Sequence, residues 1–295
     1  MTRWLVTGAT GMLGRDLVSA LRAAGEASRT TALGRADLDV TDASRTADAV
    51  AGHDVVVNAA AWTDVDGAEA NEAAAAAVNA TGVRHLAAAC ARHGARLVHV
   101  STDYVFPGDG TAPWAEDAEP APVNAYGRGK LAGERAVREI LPAHGYTVRT
   151  AWLYGAHGPN FVSTVLRLAA ERDALEVVDD QTGQPTWSAA LAARLVALGR
   201  AADAGTAPPG VYHGTAAGRA TWYELARYAF VRAGLDPARV RPVGSDRFPR
   251  PAPRPRWSVL GHEGWARAGM APLAPWRHML EHAFADGVFD GKGDR

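Results

Sequence analysis

The sequence is poor in cysteine and lysine and has no excess of either charge. Its one cysteine, Cys90, cannot form an internal disulfide, and no CxxC pair is present to hold a metal. We expect Cys90 to be a buried apolar residue of a helix. Lysine and arginine together number 31 against 32 aspartate and glutamate residues, so nothing in the charge balance indicates a nucleic-acid partner or a charged tail.

Long apolar runs are also missing. None of the 295 residues lies in a segment of membrane-spanning length, and the first residues do not follow the signal-peptide pattern. A cytoplasmic protein with no membrane partner is therefore expected. The length suits one large α/β domain or a large domain with a smaller lobe.

Short apolar strands alternate with amphipathic helices through the first half of the chain. The segment VVVN at residues 55–58 is typical of a strand that is buried on both faces. This alternation predicts an α/β fold with a doubly wound parallel sheet of Rossmann type over residues 1–155. Residues 156–295 are expected to form mainly a smaller C-terminal substrate-binding lobe, with some segments returning to the sheet.

Three segments call for separate predictions. Residues 69–93 are rich in alanine and predict one long helical stretch. The proline-dense residues 248–260 predict an irregular loop or a mobile flap, because proline fixes φ and lacks a donor. Residues 287–295 are expected to be a frayed tail.

A GxxGxxG pattern follows the first predicted strand and opens a helix. Gly8 permits a tight turn, Gly11 lets a pyrophosphate approach the helix N-terminus, and Gly14 lets the helix pack against the sheet. A glycine triad is specific only in this strand–turn–helix context, which the sequence provides. The cofactor-binding residues expected on this turn are Gly8, Thr10, Gly11, Met12, Leu13 and Gly14.

The ends of the next two strands bear on which dinucleotide binds. Arg35, after the second strand, is placed to pair with a 2′-phosphate, which favours NADPH, although a solvated surface arginine is an equal interpretation and NADH remains the alternative. Small residues after the third strand leave room for a ligand that crosses the sheet edge. The further cofactor-binding residues expected at these two places are Asp39, Val40, Ala59, Ala60, Ala61 and Thr63.

A YxxxK pair, Tyr126 and Lys130, opens a later helix, and one helical turn places both side chains on one face. The fourth strand ends in Ser101-Thr102-Asp103 at the sheet edge where the cofactor is expected. An ammonium about 4 Å from the phenol contributes roughly 4 kcal/mol at an effective dielectric constant of about 20, or about three pKa units. We therefore expect Lys130 to lower the pKa of Tyr126 towards neutrality, where a proton donor is most effective, and both residues to contact the cofactor.

Together these three motifs resemble the extended short-chain dehydrogenase/reductase superfamily. Four longer segments narrow the resemblance to the dTDP-4-dehydrorhamnose reductase family over nearly the whole chain: NAAAWTDVDGAEANEAAAAAVNATG, STDYVFPGDG, NFVSTVLRLAAERDALEVVDDQTGQPT and PRPAPRPRWSVL. The resemblance implies that NADPH or NADH reduces the C4 ketone of a dTDP-linked 4-keto-6-deoxy sugar, in the last step towards dTDP-L-rhamnose.

The resemblance also implies residue roles. The implied catalytic residues are Thr102, Tyr126 and Lys130, and the implied substrate-binding residues are Asp103, Tyr104 and Trp152 at the sugar and Arg254 at the nucleotide end. Some family members are homodimers that bind magnesium through glutamates. A homodimer is thus a candidate assembly here, but the segment after Pro185 lacks an acidic counterpart and no metal is expected.

Other functions stay open at this point. Trp62 replaces a tyrosine that is common in the family, so a related dTDP-keto sugar of an antibiotic pathway is an alternative substrate, as for dTDP-dihydrostreptose synthase. A non-catalytic dinucleotide-binding regulatory subunit is a second alternative, disfavoured by the retained Tyr126–Lys130 pair. An epimerase or a 4,6-dehydratase is a third, and the dehydratase is disfavoured because Asp103 is followed by Tyr104 rather than by glutamate.

Overall fold

The computed structural model describes residues 1–290 and is built around a parallel sheet. The strands are β1 (Trp4–Thr7), β2 (Thr30–Leu33), β3 (Val55–Asn58), β4 (Arg96–Thr102), β5 (Gly145–Thr150), β6 (Leu153–Tyr154), β7 (Leu175–Val178), β8 (Thr182–Gly183), β9 (Thr186–Trp187), β10 (Gly210–His213), β11 (Ala220–Thr221) and β12 (Val240–Val243). The helices are α1 (Met12–Ala23), α2 (Ala43–Val50), α3 (Val65–Ala70), α4 (Glu72–Ala76), α5 (Val83–His93), α6 (Ala125–Ile140), α7 (Phe161–Glu171), α8 (Ser188–Asp203), α9 (Trp222–Arg232), α10 (Gly264–Arg267) and α11 (Trp276–Ala285). Within residues 1–290, no helix combines the length and the apolarity needed to cross a membrane.

The main sheet has the order β10-β5-β4-β3-β1-β2, and all its strands are parallel. The chain leaves β1 for β2 on one side and then crosses to β3 on the other, so the sheet is doubly wound and the prediction of its class is confirmed. The winding reverses between β1 and β3, which is where α/β sheets of this kind bind their ligands. One strand, β10, comes from beyond residue 155.

Helices cover both faces of this sheet. Leucines of α1 and α8, such as Leu17 and Leu195, pack with Val6 of β1 on one face. On the other face, α2, α5 and α6 pack against the alternate strand residues, and Leu86 of α5 belongs to this second core. Cys90 is fully buried in α5, as expected, and burial raises the pKa of its thiol to about 12.

Part of the chain beyond β6 forms a third, smaller core of its own. β7 and β12 pair in parallel, and α7 and α9 pack on them through Val165 and Phe230. α9 begins with a capping box, in which the Thr221 side chain accepts from the Glu224 amide and the Glu224 carboxylate accepts from the Thr221 amide. Two short ladders, β6 with β9 and β8 with β11, lie along the chain between β5 and α9.

Two sequence predictions are wrong in part. The stretch 69–93 is not one helix, because α3 and α4 are separate and a π-helical segment, Ala77–Gly82, joins α4 to α5. The tail beginning at residue 287 is docked as far as it is described: Val288 donates its amide to Ala283, and the ring of Phe289 lies 4.8 Å from that of Phe284. Residues 291–295 lie outside the described part of the chain.

Candidate active site

The glycine turn lies between the ends of β1 and β3. Gly8 has a φ of +67°, and a Cβ there would be 2.6 Å from the Ala60 nitrogen, so the turn packs directly on the segment that follows β3. A Cβ on Gly14 would overlap the Gly8 carbonyl. Gly11, the N-cap of α1, is exposed, and a Cβ there would meet only the Gly8 oxygen, at 3.4 Å. The first amides of α1 thus have room for a phosphate, and the turn fits a dinucleotide.

The end of β2 packs against this turn. A Cβ on Gly34 would be 2.6 Å from Cγ2 of Thr10, and the Gly34 amide donates to the Asp37 carboxylate at 2.9 Å. Arg35, the next residue, is exposed beside the turn. Asp39 is also exposed, whereas Val40 is buried, so a cofactor can reach Asp39 by its side chain but Val40 only by its backbone.

The segment after β3 is held by its own side chains. Asn58 accepts from the Thr7 hydroxyl at 2.7 Å and from the Ala60 amide at 3.1 Å, which fixes the path of Ala59–Ala61 beside Gly8. Trp62 exchanges two backbone hydrogen bonds with the side chain of Asn79, at 2.9 and 3.0 Å.

Three more cofactor candidates differ in exposure. Thr63 is exposed and Met12 is half-buried, so both are accessible at the surface of the turn region. The Leu13 side chain lies in the core, so Leu13 can offer only its backbone.

Helix α6 carries the tyrosine–lysine pair, and side chains fix its start. The Asn124 side chain accepts from the Gly127 amide at 2.8 Å, and Glu69 accepts from the Ala125 amide at 2.8 Å. Lys130 and Glu134 follow at successive turns, on the face of α6 towards β4. We did not predict the roles of Asn124 and Glu69, although an asparagine directly before a helix is a recognised cap signal.

Glycines bring α6 close to its neighbours. A Cβ on Gly127 would overlap the Tyr104 carbonyl, and one on Gly133 would overlap the Asn79 carbonyl in the π-helical segment. Helix α6 therefore packs closely on the π-helical segment, and this packing positions Lys130 against the end of β4.

Lys130 is 2% exposed, and its ammonium donates to the Val100 carbonyl at 2.6 Å. Burial lowers the pKa of Lys130 to about 8, and the Glu134 carboxylate only partly opposes this shift. Thr102, at the end of β4, donates to Asp103 at 3.1 Å and accepts from the Tyr104 amide at 3.2 Å. The three predicted catalytic residues therefore meet where β4 and α6 face each other.

The electrostatics of Tyr126 differ from the sequence prediction. Burial raises its pKa to about 12, and the Thr102 hydroxyl opposes this shift only partly. Lys130 does not lower the pKa of the phenol, because its ammonium is directed to the main chain of β4 and desolvation of the phenolate dominates. Tyr126 is therefore a neutral phenol at physiological pH, which is the form that can donate a proton.

The predicted sugar-site residues lie at the same edge. Thr102 pairs in register with Thr150, so Asp103 and Trp152 leave neighbouring strands side by side. Burial raises the pKa of Asp103 to about 6, although the Ser258 and Thr102 hydroxyls favour its ionised form. Tyr104 packs edge-on against Tyr126, with ring centroids 5.8 Å apart.

The backbone of Trp152 is unusual. Its φ of +48° is the one positive value at a non-glycine residue within residues 1–290. Such a conformation costs on the order of 1–3 kcal/mol and persists only where the surroundings impose it.

The family is shown by comparison with known proteins. A family model described as "RmlD substrate binding domain" matches residues 2–289. A Streptomyces griseus protein named dTDP-4-dehydrorhamnose reductase is 57% identical over 284 residues, which cover 96% of this chain and 93% of that protein. The chain belongs to the dTDP-4-dehydrorhamnose reductase family.

Two further relatives agree with this assignment and confirm the resemblance. A Streptomyces niveus protein named dTDP-4-keto-6-deoxy-D-glucose reductase is 52% identical, with 96% of each chain covered. The crystal structure of a Bacillus anthracis dTDP-4-dehydrorhamnose reductase in complex with NADP superposes with a TM-score of 0.91. That protein is 36% identical, and the match covers 97% of this chain and 99% of the other.

Arg254, which the family resemblance placed at the nucleotide end, is bound by the chain itself. Its guanidinium forms two hydrogen bonds with the Asp66 carboxylate, both at 2.9 Å, and Asn124 donates to the Pro253 carbonyl at 2.9 Å. The irregular proline-rich segment is thereby fixed to α3 and to the start of α6. We did not predict Asp66, because its partner is 188 residues away in the sequence.

A buried ion pair beside the catalytic residues also escaped prediction. Arg149 of β5 and Glu134 of α6 lie 2.7 Å apart, with side chains 4% and 6% exposed. Ser101 donates to the same carboxylate at 2.5 Å. This pair ties α6 to β4 and β5 next to Lys130.

Substitutions in the glycine turn should separate cofactor binding from folding. Gly11→Ala adds a methyl where the phosphate is expected and should weaken NADPH binding by roughly tenfold or more. Gly14→Ala forces α1 away from the turn and should destabilise the fold by about 1–3 kcal/mol. NADPH titration and thermal melts of both variants check this. Equal loss of Tm in the two variants would contradict the assignment of Gly11 to the ligand.

Proposed function

We propose that this protein reduces the C4 ketone of a dTDP-linked 4-keto-6-deoxy sugar, as a dTDP-4-dehydrorhamnose reductase does. The proposal is carried by the placement of Thr102, Tyr126 and Lys130 at the sheet edge next to the glycine turn. The glycine turn and these three residues together suit hydride transfer to a carbonyl. The glycine turn alone would suit only dinucleotide binding. The sugar nucleotide is assigned from the family relatives.

The residues divide the reaction between them. A reduced nicotinamide, when bound, supplies the hydride for the ketone carbon. Tyr126 then gives its proton to the carbonyl oxygen, which gains negative charge as the hydride arrives, and the product is an alcohol. Thr102 donates a second hydrogen bond to that oxygen, and this bond strengthens in the transition state. The Lys130 ammonium, held against β4 by the Val100 carbonyl, is placed to bond the nicotinamide ribose and so to orient the cofactor beside Tyr126.

NADPH is the proposed cofactor, with NADH as the alternative. Arg35 lies exposed beside the glycine turn, where a guanidinium can pair with a 2′-phosphate. The Bacillus anthracis relative binds NADP. Asp39, Thr63 and the Ala59–Ala61 segment, which follow β2 and β3, complete the proposed binding residues. For the substrate, we propose Asp103, Tyr104 and Trp152 at the sugar and the Arg254 region at the nucleotide.

A related dTDP-keto sugar of an antibiotic pathway is the second candidate substrate. It is supported by the Streptomyces niveus relative, whose name gives a different keto-sugar substrate from that of the Streptomyces griseus relative. Trp62 also places an indole where a tyrosine is common in the family, and its N–H donates to the Asp64 carbonyl.

A small substrate panel separates these candidates. Consumption of NADPH, and separately of NADH, is measured with each of several dTDP-4-keto-6-deoxy sugars. One reduced nicotinamide should be consumed for each sugar reduced, and the products are identified by NMR. Turnover with dTDP-4-dehydrorhamnose at the highest kcat/KM supports the first candidate. A clear preference for another keto sugar selects the second, and no turnover with any of them contradicts the proposal.

The alkaline limb of the pH profile should report Lys130. Because the pKa of Lys130 is lowered to about 8, the ammonium loses its proton as pH rises through that value, and kcat/KM should fall above it. Tyr126 keeps its proton throughout this range. The measurement is kcat/KM against pH, with Tm at each pH as the control for unfolding. A profile that stays flat up to about pH 10, where ordinary lysines titrate, would contradict the role of a buried Lys130.

Location and assembly belong to the same proposal. We propose that the enzyme is cytoplasmic, because its proposed substrates are water-soluble nucleotide sugars. The near-neutral charge balance favours neither a nucleic-acid nor a membrane partner. A homodimer is proposed as its assembly, and light scattering of the purified protein tests it.

A further inference from the structure

Trp152, the residue with the strained backbone, is part of an aromatic stack. The indole rings of Trp152 and Trp222 are parallel, with centroids 3.4 Å apart and planes inclined by 5°. Phe161, the first residue of α7, lies 4.6 Å from the Trp222 ring. Trp222 is the first residue of α9, so the starts of two helices meet at the ring that stacks on Trp152.

The position of Trp222 is fixed independently of Trp152. Its indole N–H donates to the Gln181 side chain at 3.2 Å, and the capping box at Thr221 sets the direction of α9. Thr221 also donates to the Asp179 carboxylate at 2.5 Å and pairs with Thr182 in the β8–β11 ladder. The ring is therefore held from its own helix and from the neighbouring ladder.

The same ladder supplies the second neighbour of Trp152. Gly183 pairs with Ala220, and a Cβ on Gly183 would be 2.5 Å from Cε2 and 2.8 Å from Nε1 of the Trp152 indole. Glycine is thus required there for the indole to occupy its place. The β8–β11 ladder therefore contains Gly183 and leads directly into Trp222, the two close neighbours of the Trp152 ring.

We propose that Trp222 is a positioning residue for the sugar substrate, acting by holding the Trp152 indole at the mouth of the site. A tryptophan leaves the left-handed backbone region readily unless its surroundings oppose this, and the stack opposes it here. Trp152 follows β5 two residues after Thr150, which pairs in register with Thr102, so we place the held indole as a flat apolar wall at the sheet edge that carries Thr102 and Asp103. A 6-deoxy sugar has an apolar methyl group and ring face that match such a wall.

This inference rests on the proposed function, and the variants are chosen to isolate it. Trp222→Leu removes the stacked ring, and Gly183→Ala displaces the indole while Trp222 stays intact. Each should raise the KM for the keto sugar by about three- to tenfold, which is the contribution of an aromatic pair of this kind. The KM for NADPH should not change. Trp222→Phe retains a stacked ring and should restore most of the lost affinity.

A control and a double variant separate positioning from general damage. Trp265→Phe alters a fully buried tryptophan whose N–H donates to the His213 carbonyl, and it should change Tm without changing either KM. Trp152→Ala combined with Trp222→Leu should be no worse than Trp152→Ala alone, because Trp222 acts through Trp152. The exciton signal of the coupled indoles in circular dichroism should vanish in Trp222→Leu and persist in Trp265→Phe.

The inference is overturned if Gly183→Ala and a folded Trp222→Leu both keep the wild-type KM for the sugar, or if the double variant shows additive losses. Should Trp222→Leu not fold, Gly183→Ala alone decides between the same outcomes. A wild-type protein that consumes no NADPH with any keto sugar contradicts the proposed function instead. In that case, loss of the exciton signal in Gly183→Ala still tests whether the ladder holds the stack.

Discussion

Replacing Tyr126 by phenylalanine is expected to lower kcat by on the order of a hundredfold or more. The proposed mechanism assigns the Tyr126 hydroxyl as the group that gives its proton to the carbonyl oxygen. Because the pKa of Tyr126 is raised, the wild-type hydroxyl keeps the proton that it donates, and Tyr126→Phe removes this donor. Steady-state kinetics with the keto sugar, alongside NADPH titration, measures the effect.

A buried tyrosine elsewhere provides the matched control. Tyr154 is 1% exposed, and within residues 1–290 its hydroxyl has no hydrogen-bond partner. Tyr154→Phe should therefore leave kcat unchanged and at most raise Tm. Near-normal turnover in Tyr126→Phe, with NADPH binding intact, would contradict the proton-donor role.

Arg149→Met is expected to destabilise the fold by about 3–5 kcal/mol. The substitution keeps most of the side-chain volume but leaves the Glu134 carboxylate buried without its cation, with Ser101 as its remaining donor. Because α6 is anchored to β5 through this pair, the positions of Lys130 and Tyr126 should also become less defined, and kcat should fall together with stability. Thermal melts and kinetics on the same preparation measure both effects.

Arg167→Met is the control with matched chemistry. Arg167 and Glu171 are also 2.7 Å apart, but their side chains are 62% and 52% exposed on α7. An exposed pair at this spacing contributes only about 0.3–0.5 kcal/mol, so Tm should hardly move. Similar losses in Arg149→Met and Arg167→Met would show that burial of the Glu134 pair is not what stabilises this part of the fold.

Local sequence patterns predicted the sheet well because each strand carries its own signal. The glycine turn, the end of β4 and the start of α6 all fall where their motifs indicated. Such motifs are contiguous, and parallel strands align their carboxyl ends regardless of distance in the chain.

The features that escaped prediction depend on contacts between distant segments. The π-helical segment at 77–82 sits in an alanine-rich run that favours a regular helix, and its contact with Gly133 lies some fifty residues further along. Asp66 with Arg254, and Glu134 with Arg149, are pairs that only the fold brings together. The direction of the Tyr126 pKa shift depends on desolvation, which spacing alone does not reveal.

Transfer of deuterium from labelled NADPH tests the central claim most directly. The protein is incubated with NADPH that carries deuterium at C4 of the nicotinamide and with a dTDP-4-keto-6-deoxy sugar, and the product is examined by NMR and mass spectrometry. We predict one deuterium at C4 of the product sugar for each NADPH oxidised in the stereochemically matched label. A sugar converted without deuterium and without net oxidation of NADPH would contradict the account and favour an epimerase or dehydratase on the same fold.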